Sequence, residues 1–286
     1  MVLSRPSEKD LERIRAFRLI DDTFMTVVFQ DIECTQLLIR CVLQRDDLEV
    51  IRVQTQRELK NLWGRSVRLD ILASDRQGVL YNIEVQRDDA GAVHRRARYN
   101  SSLLDAHVTE PGEDYEALGE TYVIFITEND SFGEGLPLYH IDRVVRETGA
   151  PFEDGEHILY VNGRYRGDDP IGALMHDFFC RDPAEMENPV LARNVSYYKE
   201  DPKGVEHMCR IAEEIKAEGR AEGLVEGQAK GRAEGLMEGQ VKGRRETQIQ
   251  NIRRLMKVKN LSFEQACDLL ALSQDEVNGL KAYFLS

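Results

Sequence analysis

Two runs of strand-forming residues meet at a turn in the segment RLDILASDRQGVLYNIEVQ, residues 68–86. Both runs are rich in Val, Leu, Ile and Tyr, and the intervening DRQG is typical of a turn, so the segment predicts a β-hairpin. A three-residue loop with Gly78 in the left-handed conformation sets Asp75 opposite Val79. This hairpin constrains the fold more than any other feature, because it determines which side chains share a face of the sheet.

The predicted register divides the hairpin into an apolar and a polar face, because side chains alternate along a strand. Counting back from the turn places Asp70 opposite Glu84 on the polar face. The apolar face consists of Val67, Leu69, Ile71, Ala73, Val79, Tyr81, Ile83 and Val85. The polar face consists of Arg68, Asp70, Leu72, Leu80, Asn82, Glu84 and Gln86. We therefore expect the first face in the core and two carboxylates together on the second.

Directly opposed carboxylates repel each other, since side chains on neighbouring strands begin about 4.5 to 5.5 Å apart. A divalent cation would offset the repulsion between Asp70 and Glu84, and Mg²⁺ prefers hard oxygen ligands of this kind. Two other interpretations stay open from the residues alone. One carboxylate pairs with Arg68, or the true register differs by one residue.

The rest of the chain, up to about residue 180, alternates between helical and extended patterns. Helix-like apolar spacing from about Leu11 to Leu43 predicts one or two helices. Strand patterns occur in LEVIRVQTQ, in the two hairpin runs, in TYVIFIT and in HILYVNG, and helical patterns in AVHRRARYNSSLLDAHV and DPIGALMHDFF. The order helix, three strands, helix, strand predicts an α/β fold with a mixed sheet flanked by helices.

A low-complexity repeat begins near Glu218, where glycine recurs at every fourth position from Gly219 to Gly243. Each glycine costs a helix about 1 kcal/mol relative to alanine, so the repeat predicts a weak helix or a solvated linker. A close-packed helical pairing face is the alternative, because glycine lets two backbones approach each other.

Three regions follow from these patterns. Residues 1–210 contain the α/β core, residues 211–246 the Gly/Glu-rich tetrapeptide repeat, and residues 247–286 a small helical region. In the last region two capping-box spacings precede short apolar runs, which predicts a pair of short helices. The capping pairs are Ser262 with Gln265 and Ser273 with Glu276.

Charge and composition exclude several classes of function. The formal net charge of -13 argues against a protein that holds nucleic acid through bulk positive charge, so such a role requires a local basic patch or divalent cations. Five scattered cysteines and no apolar run long enough to span a bilayer predict a cytoplasmic protein with reduced thiols, outside membranes. No G-x-x-x-x-G-K-[ST] loop is present, so we expect no nucleotide cofactor.

An ordered series of segments resembles the PD-(D/E)XK family transposases, also called recombination-promoting nucleases. The segments are DDTFMTVVFQ, GRSVRLDILASD, YNIEVQR, HRRARYNSSLLD, YVIFITENDSFGEG and HILYVNG. The resemblance spans about residues 21–209, and the series is far more specific than the spaced D…ExQ set alone. It implies a restriction-endonuclease-like PD-(D/E)XK core with a C-terminal helical extension, and a metal-dependent DNA endonuclease.

The same resemblance assigns roles to the polar face of the hairpin. It implies that Asp70 and Glu84 hold Mg²⁺, for which Mn²⁺ can substitute, and that the backbone carbonyl of Val85 adds a ligand. Gln86 would orient the water that attacks a DNA phosphodiester. The implied catalytic residues are therefore Asp70, Glu84 and Gln86.

Gln86 is the position at which the chain departs from the superfamily signature, whose third motif residue is usually lysine. Glutamine can hydrogen-bond but brings no positive charge, which leaves open slower cleavage or a substitute cation such as Lys60 or Arg68. Glutamine here resembles the variant of this transposase-like branch, and that likeness implies a working site.

Two helices carry further candidates. Asp21 or Asp22 matches the acidic residue that the superfamily often adds from its first helix, and Asp22 is the candidate metal ligand; an acid favoured by the helix dipole is the alternative. The helix after the hairpin carries candidate DNA phosphate contacts, for which a solvated helix face is the alternative. These contacts are Arg95, Arg96, Arg98 and Tyr99.

Two functions of different classes follow. The first is a metal-dependent DNA endonuclease, a transposase or recombination-promoting nuclease that acts as a homo-oligomer, because two strand cuts need two sites. The alternative is a catalytically weak or inactive protein with the same fold that binds DNA or a protein partner. The missing lysine and the acidic net charge favour this alternative.

Overall fold

Segments with period-two apolar alternation form strands in this chain, and segments with a helical period form helices. The computed structural model describes residues 7–61, 64–87, 92–109 and 112–284. The chain divides into two compact units, Met1–Glu213 and Glu214–Ser286. Among the helices in the described ranges, none combines the length and apolar character needed to cross a membrane.

The first unit contains a six-stranded mixed sheet in the described residues. The strands are β1 (Val50–Leu59), β2 (Val67–Asp75), β3 (Leu80–Gln86), β4 (Thr121–Thr127), β5 (Leu138–Ile141) and β6 (Glu156–Asn162). Their order across the sheet is β1-β2-β3-β4-β6-β5. The pairs β1–β2, β2–β3 and β5–β6 are antiparallel, whereas β3–β4 and β4–β6 are parallel. The parallel centre requires a crossover between β3 and β4, and a helix provides it.

Helices cover both faces of this sheet. They are α1 (Glu8–Ala16), α2 (Asp22–Val28), α3 (Ile32–Leu43), α4 (His94–Val108), α5 (Pro170–Phe179) and α6 (Pro189–Glu200). The main core lies on one face, where strand residues such as Ile83 and Ile124 are buried with residues of α2, α3, α5 and α6. On the opposite face α4 packs on alternate strand residues such as Val123 and Phe125.

The predicted fold class is confirmed, and most predicted elements agree with the structure within a few residues. The region from about Leu11 to Leu43 forms three helices rather than one or two, because separate N-caps begin at Ser7, Asp21 and Asp31. The sequence patterns did not indicate β5 or α6. The four residues of β5 are too few to establish a period of two.

The glycine repeat lies inside a long helix, α7 (Pro202–Lys259). The sequence predicted either a weak helix or a solvated linker for this repeat, and the structure contains a helix. A Cβ atom built on any glycine from Gly219 to Gly243 has no neighbour within 4 Å in the described chain. Close packing within one chain therefore explains none of these glycines.

The end of α7 packs with two short helices, α8 (Phe263–Leu269) and α9 (Gln274–Lys281). Each of these helices begins with the capping box that its sequence predicts. Ser262 caps α8 reciprocally with Gln265, and Ser273 caps α9 with Glu276. The buried residues of this small core are Ile252, Ala266, Cys267 and Leu280.

Candidate active site

The turn of the β2–β3 hairpin forms as the sequence predicts. Gly78 has a φ of +85°, a left-handed conformation that glycine adopts without steric cost. Asp75 donates its backbone N–H to the Val79 carbonyl at 3.2 Å. Its buried carboxylate accepts the N–H groups of Gln77 and Val79 and the hydroxyl of Tyr81. The Asp75 side chain thus fixes the loop, and the loop fixes the register.

That register brings the two predicted carboxylates together. The β2–β3 ladder ends with the pair Ile71 and Ile83, and just beyond it Asp70 lies close enough to Glu84 for its charge to raise the pKa of that carboxyl group. The Asp70 Oδ2 atom also accepts the backbone N–H of Val85 at 3.1 Å. The alternative register, shifted by one residue, is therefore excluded.

Glu84 is a carboxylate with 0% exposure to solvent, a location that costs several kcal/mol unless the charge is compensated. Its Oε2 atom accepts a hydrogen bond from the guanidinium of Arg96 on α4 at 2.6 Å. Its Oε1 atom is buried and has no hydrogen-bond partner within the residues that the structure describes. Because buried polar atoms normally have partners, this oxygen is available to a ligand such as a cation.

Burial and mutual repulsion raise the pKa of both carboxyl groups. Burial, followed by the charge of Asp70, raises the pKa of Glu84 to about 8, against the attraction of Arg96. Burial raises the pKa of Asp70 to about 6; the N–H of Val85 lowers it and the charge of Asp22 raises it. A bound cation favours the ionised forms of both groups, so cation and protons compete at this pair.

The two acidic residues at the start of α2 have different surroundings. Asp21 accepts the backbone N–H of Arg18 at 2.8 Å and forms an ion pair with Arg87 at 2.9 Å. Asp22 is exposed and close enough to raise the pKa of Asp70. Asp21 therefore anchors the chain before α2, whereas Asp22 adds a third carboxylate to the surroundings of the hairpin pair.

Gln86 lies two residues after Glu84 on β3, so its side chain leaves the strand on the same face. It is half-buried at the end of the strand. The two proposed substitutes for the missing lysine differ in position. Arg68 is close enough to Asp70 to lower the pKa of that carboxyl group, whereas Lys60 lies 3.9 Å from the carboxylate of Glu58.

The predicted phosphate contacts on α4 fall into two groups. Arg95 and Arg98 have exposed side chains that are accessible to a large ligand. Arg96 instead contacts the buried glutamate of β3, and the hydroxyl of Tyr99 accepts a hydrogen bond from the Asn61 amide at 2.9 Å. The pairing of Arg96 is the feature that sequence reasoning missed; the available signal was an arginine-rich helix that follows the strand carrying Glu84.

The donor atoms of this site suit a hard divalent cation. Asp70 and Glu84 supply carboxylate oxygens from adjacent strands, and Glu84 Oε1 is without a partner in the described part of the chain. Asp22 supplies a further carboxylate nearby. These donors include no sulfur or imidazole, and such an oxygen set favours Mg²⁺ or Mn²⁺ over softer metals. The residues therefore fit the metal that the resemblance implies.

In a comparison with known proteins, one family model matches the central part of the chain. Residues 30–162 match the family model for the PD-(D/E)XK nuclease family transposases. The matched region contains all six strands and α4, and hence Asp70, Glu84 and Gln86; Asp22 precedes it. A search of the curated proteins and a search of the solved structures each found no match. The resemblance noted in the sequence is confirmed.

Proposed function

We propose, from the membership of residues 30–162 in the PD-(D/E)XK nuclease family transposases, that the chain is a metal-dependent DNA endonuclease. One observation carries the proposal: Glu84 is fully buried beside Asp70 and keeps an oxygen without a hydrogen-bond partner in the described residues. A buried carboxylate pair costs folding free energy, so its presence fits a site whose ligand is a cation. We further propose a cytoplasmic role in DNA recombination or transposition.

Asp70 and Glu84 would hold Mg²⁺ or Mn²⁺, with the Val85 carbonyl and Asp22 as further candidate ligands. When bound, the cation would supply Lewis-acid stabilisation of the negative charge that develops at the scissile phosphate. The protein contributes rigid positioning, because Asp70 is fixed by the N–H of Val85 and Glu84 by Arg96. Such preorganised groups need no rearrangement during the reaction.

Gln86 and Arg96 together take the two roles that a single lysine has in the usual motif, which are to position the water and to supply positive charge. The Gln86 amide can both accept and donate hydrogen bonds, so it can orient an attacking water on the face that carries Glu84. Arg96 keeps a permanent positive charge 2.6 Å from Glu84. We propose that Gln86 positions the water and that Arg96, together with Arg68 near Asp70, supplies positive charge at the site.

Contact between DNA and the exposed face of α4 is part of the proposal, although the net charge is negative. Arg95 and Arg98 are exposed on the helix that covers the site. Replacing both by alanine is expected to weaken DNA binding and to reduce the slope of log affinity against log salt by about 1 to 2. Fluorescence anisotropy at several salt concentrations, with Ca²⁺ in place of Mg²⁺, measures both quantities.

The matched control for this prediction is Arg146→Ala, which removes another exposed arginine from the same unit. We expect this variant to bind DNA with an unchanged salt slope. A double variant of Arg95 and Arg98 that binds like the wild type would exclude α4 as the phosphate-contacting surface.

The metal-free protein is expected to lose stability as the pH rises from about 5 to about 8. The unfolded chain has ordinary carboxyl pKa values of about 3.9 and 4.3, whereas Asp70 and Glu84 have folded pKa values raised to about 6 and about 8. Between the unfolded and the folded pKa values, the folded state binds more protons than the unfolded state. The contribution of the two carboxyl groups to the free energy of unfolding is therefore fully present at low pH and is lost as the pH rises through the folded pKa values.

A bound cation should restore the lost stability, because at high pH no protons compete with it for the oxygens of Asp70 and Glu84. We therefore expect Mn²⁺ to raise the unfolding temperature more at pH 8 than at pH 6. Asp70→Ala should remove most of this stabilisation. Equal stabilisation of the wild type and of Asp70→Ala, or none at millimolar Mn²⁺, would favour the alternative of a non-catalytic binding protein.

A homo-oligomer is also part of the proposal, because cutting both DNA strands requires two such sites. The solution mass of the full chain, measured by light scattering, tests this assembly directly. A monomer at all concentrations that support cleavage would exclude it.

A further inference from the structure

A second cluster of potential metal ligands lies at the end of α5, on residues that the proposed nuclease chemistry does not use. His176, Asp177 and Cys180 belong to the last turn of α5 and the residue that follows it, and their ligand atoms all lie within 4.8 Å of one another. Glu187, from the loop that leads to α6, approaches the same imidazole. The cluster combines nitrogen, sulfur and oxygen donors, unlike the oxygen donors around Asp70.

Three distances from the His176 imidazole are close to the distance between two ligands of one tetrahedral metal ion. Ligand atoms bonded to Zn²⁺ at about 2.0 to 2.3 Å lie about 3.3 to 3.8 Å apart. From the Nδ1 atom of His176, the distances are 3.3 Å to Asp177 Oδ1, 3.5 Å to Cys180 Sγ and 3.7 Å to Glu187 Oε1. Cys180 Sγ also lies 3.6 Å from Nε2, so either ring nitrogen can turn toward the sulfur.

Local structure fixes the cluster and leaves it accessible. The Asp177 carboxylate accepts the backbone N–H groups of Glu187 and Asn188 at 2.7 and 2.9 Å, which holds the loop against the helix. Cys180 is only 7% exposed, whereas the His176 side chain is 38% exposed. Fixed ligands of this kind lose little entropy on binding, and the exposed imidazole gives an ion a path from solvent.

We propose that His176, Asp177 and Cys180 hold a structural Zn²⁺ ion, and that the exposed carboxylate of Glu187, which lies near the imidazole, turns toward the ion as the fourth ligand. Thiolate and imidazole donors favour Zn²⁺ over Mg²⁺, and a fourth protein ligand leaves no open position for a substrate. Binding exchanges the thiol proton of Cys180 for the metal and releases that proton to solvent. The ion would tie the end of α5 to the loop before α6.

Cobalt substitution tests this site in the full-length protein, after removal of metals by a chelator. A thiolate-bound, tetrahedral Co²⁺ gives a near-ultraviolet charge-transfer band and intense visible bands, which an oxygen-only site does not give. We expect one equivalent of Co²⁺ to produce these bands and one equivalent of Zn²⁺ to abolish them. The bands should persist in Asp70→Ala, because this variant changes the proposed nuclease site and not the cluster at the end of α5. This control separates a failure of one proposal from a failure of the other.

Substitutions of single cluster residues test whether the Co²⁺ bands come from this cluster. Cys180→Ser is expected to remove the charge-transfer band, whereas Cys209→Ser, which alters a half-buried cysteine elsewhere in the same unit, should keep it. His176→Gln, at a partly exposed position, should reduce Zn²⁺ affinity about 100-fold while the circular dichroism stays unchanged. No thiolate band in the wild type, or a band that survives in Cys180→Ser, would overturn the proposal.

Discussion

Alanine at Asp70 or at Glu84 is expected to reduce DNA cleavage about a thousandfold. Each substitution removes one of two carboxylates that would hold the cation, and a loss of about 4 kcal/mol of transition-state stabilisation corresponds to that factor. Neither substitution should unfold the protein, because each removes a buried or largely buried acid whose pKa is raised in the folded state. The initial rate of supercoiled-plasmid loss at saturating Mn²⁺ measures the effect.

The matched control is Glu58→Ala, which removes an exposed glutamate of β1. We expect this variant to cleave at the wild-type rate. Far-ultraviolet circular dichroism of all three variants separates loss of the site from loss of the fold. Wild-type cleavage by both Asp70→Ala and Glu84→Ala, with intact folds, would exclude these carboxylates as the metal-binding pair.

Arg96→Met is expected to destabilise the metal-free protein by about 2 to 3 kcal/mol at pH 10 and by much less at pH 5. At pH 10 the Glu84 carboxylate is ionised, and the substitution removes the guanidinium that lies 2.6 Å from it. At pH 5 Glu84 is already protonated, because its pKa is raised to about 8, so little charge remains to be compensated. Urea unfolding at the two pH values measures the difference.

A double-mutant cycle separates this charge effect from lost packing. In the background of Glu84→Gln, we expect Arg96→Met to cost much less at pH 10, because the coupled charge is gone. Arg95→Met, an exposed neighbour on the same helix, should change the stability by less than about 0.5 kcal/mol. An equal cost of Arg96→Met at both pH values and in both backgrounds would show that Arg96 acts through packing alone.

The hairpin was predictable because its information is local. The sequence places a glycine at the left-handed position of the turn, and counting from this turn gives the register that buries the apolar face. Asp70 and Glu84 therefore follow from counting along two strands, and the structure has this register. The family resemblance added the chemistry, which alternation alone does not contain.

Other features of the site depend on tertiary packing and could not be predicted from neighbouring residues in the sequence. The sequence predicts a polar face on the hairpin but not that a helix covers it: α4 buries Glu84 and brings Arg96 to its carboxylate. Arg95 and Arg96 are adjacent arginines, and only their positions around the helix axis distinguish the exposed Arg95 from Arg96, which pairs with the buried Glu84. The contrast between Asp21 and Asp22 likewise depends on Arg87, which lies far away in sequence.

The cluster at the end of α5 shows the same limit. His176 and Cys180 are four residues apart and so share a helix face, but this spacing alone does not predict a metal site. Glu187 joins them only because Asp177 binds the backbone of the loop that carries it. A sequence motif for such a site would need to include the loop, whose conformation depends on a buried side chain.

Removal of the metal tests the central claim most directly. Supercoiled plasmid is incubated with the purified full-length protein in Mn²⁺, in Mg²⁺ and in excess chelator, and nicked and linear products are quantified. We predict products in both metals, none in the chelator, and recovery of cleavage when Mn²⁺ is restored. Cleavage that continues undiminished in the chelator, or no cleavage with either metal, would contradict the assignment of a metal-dependent nuclease.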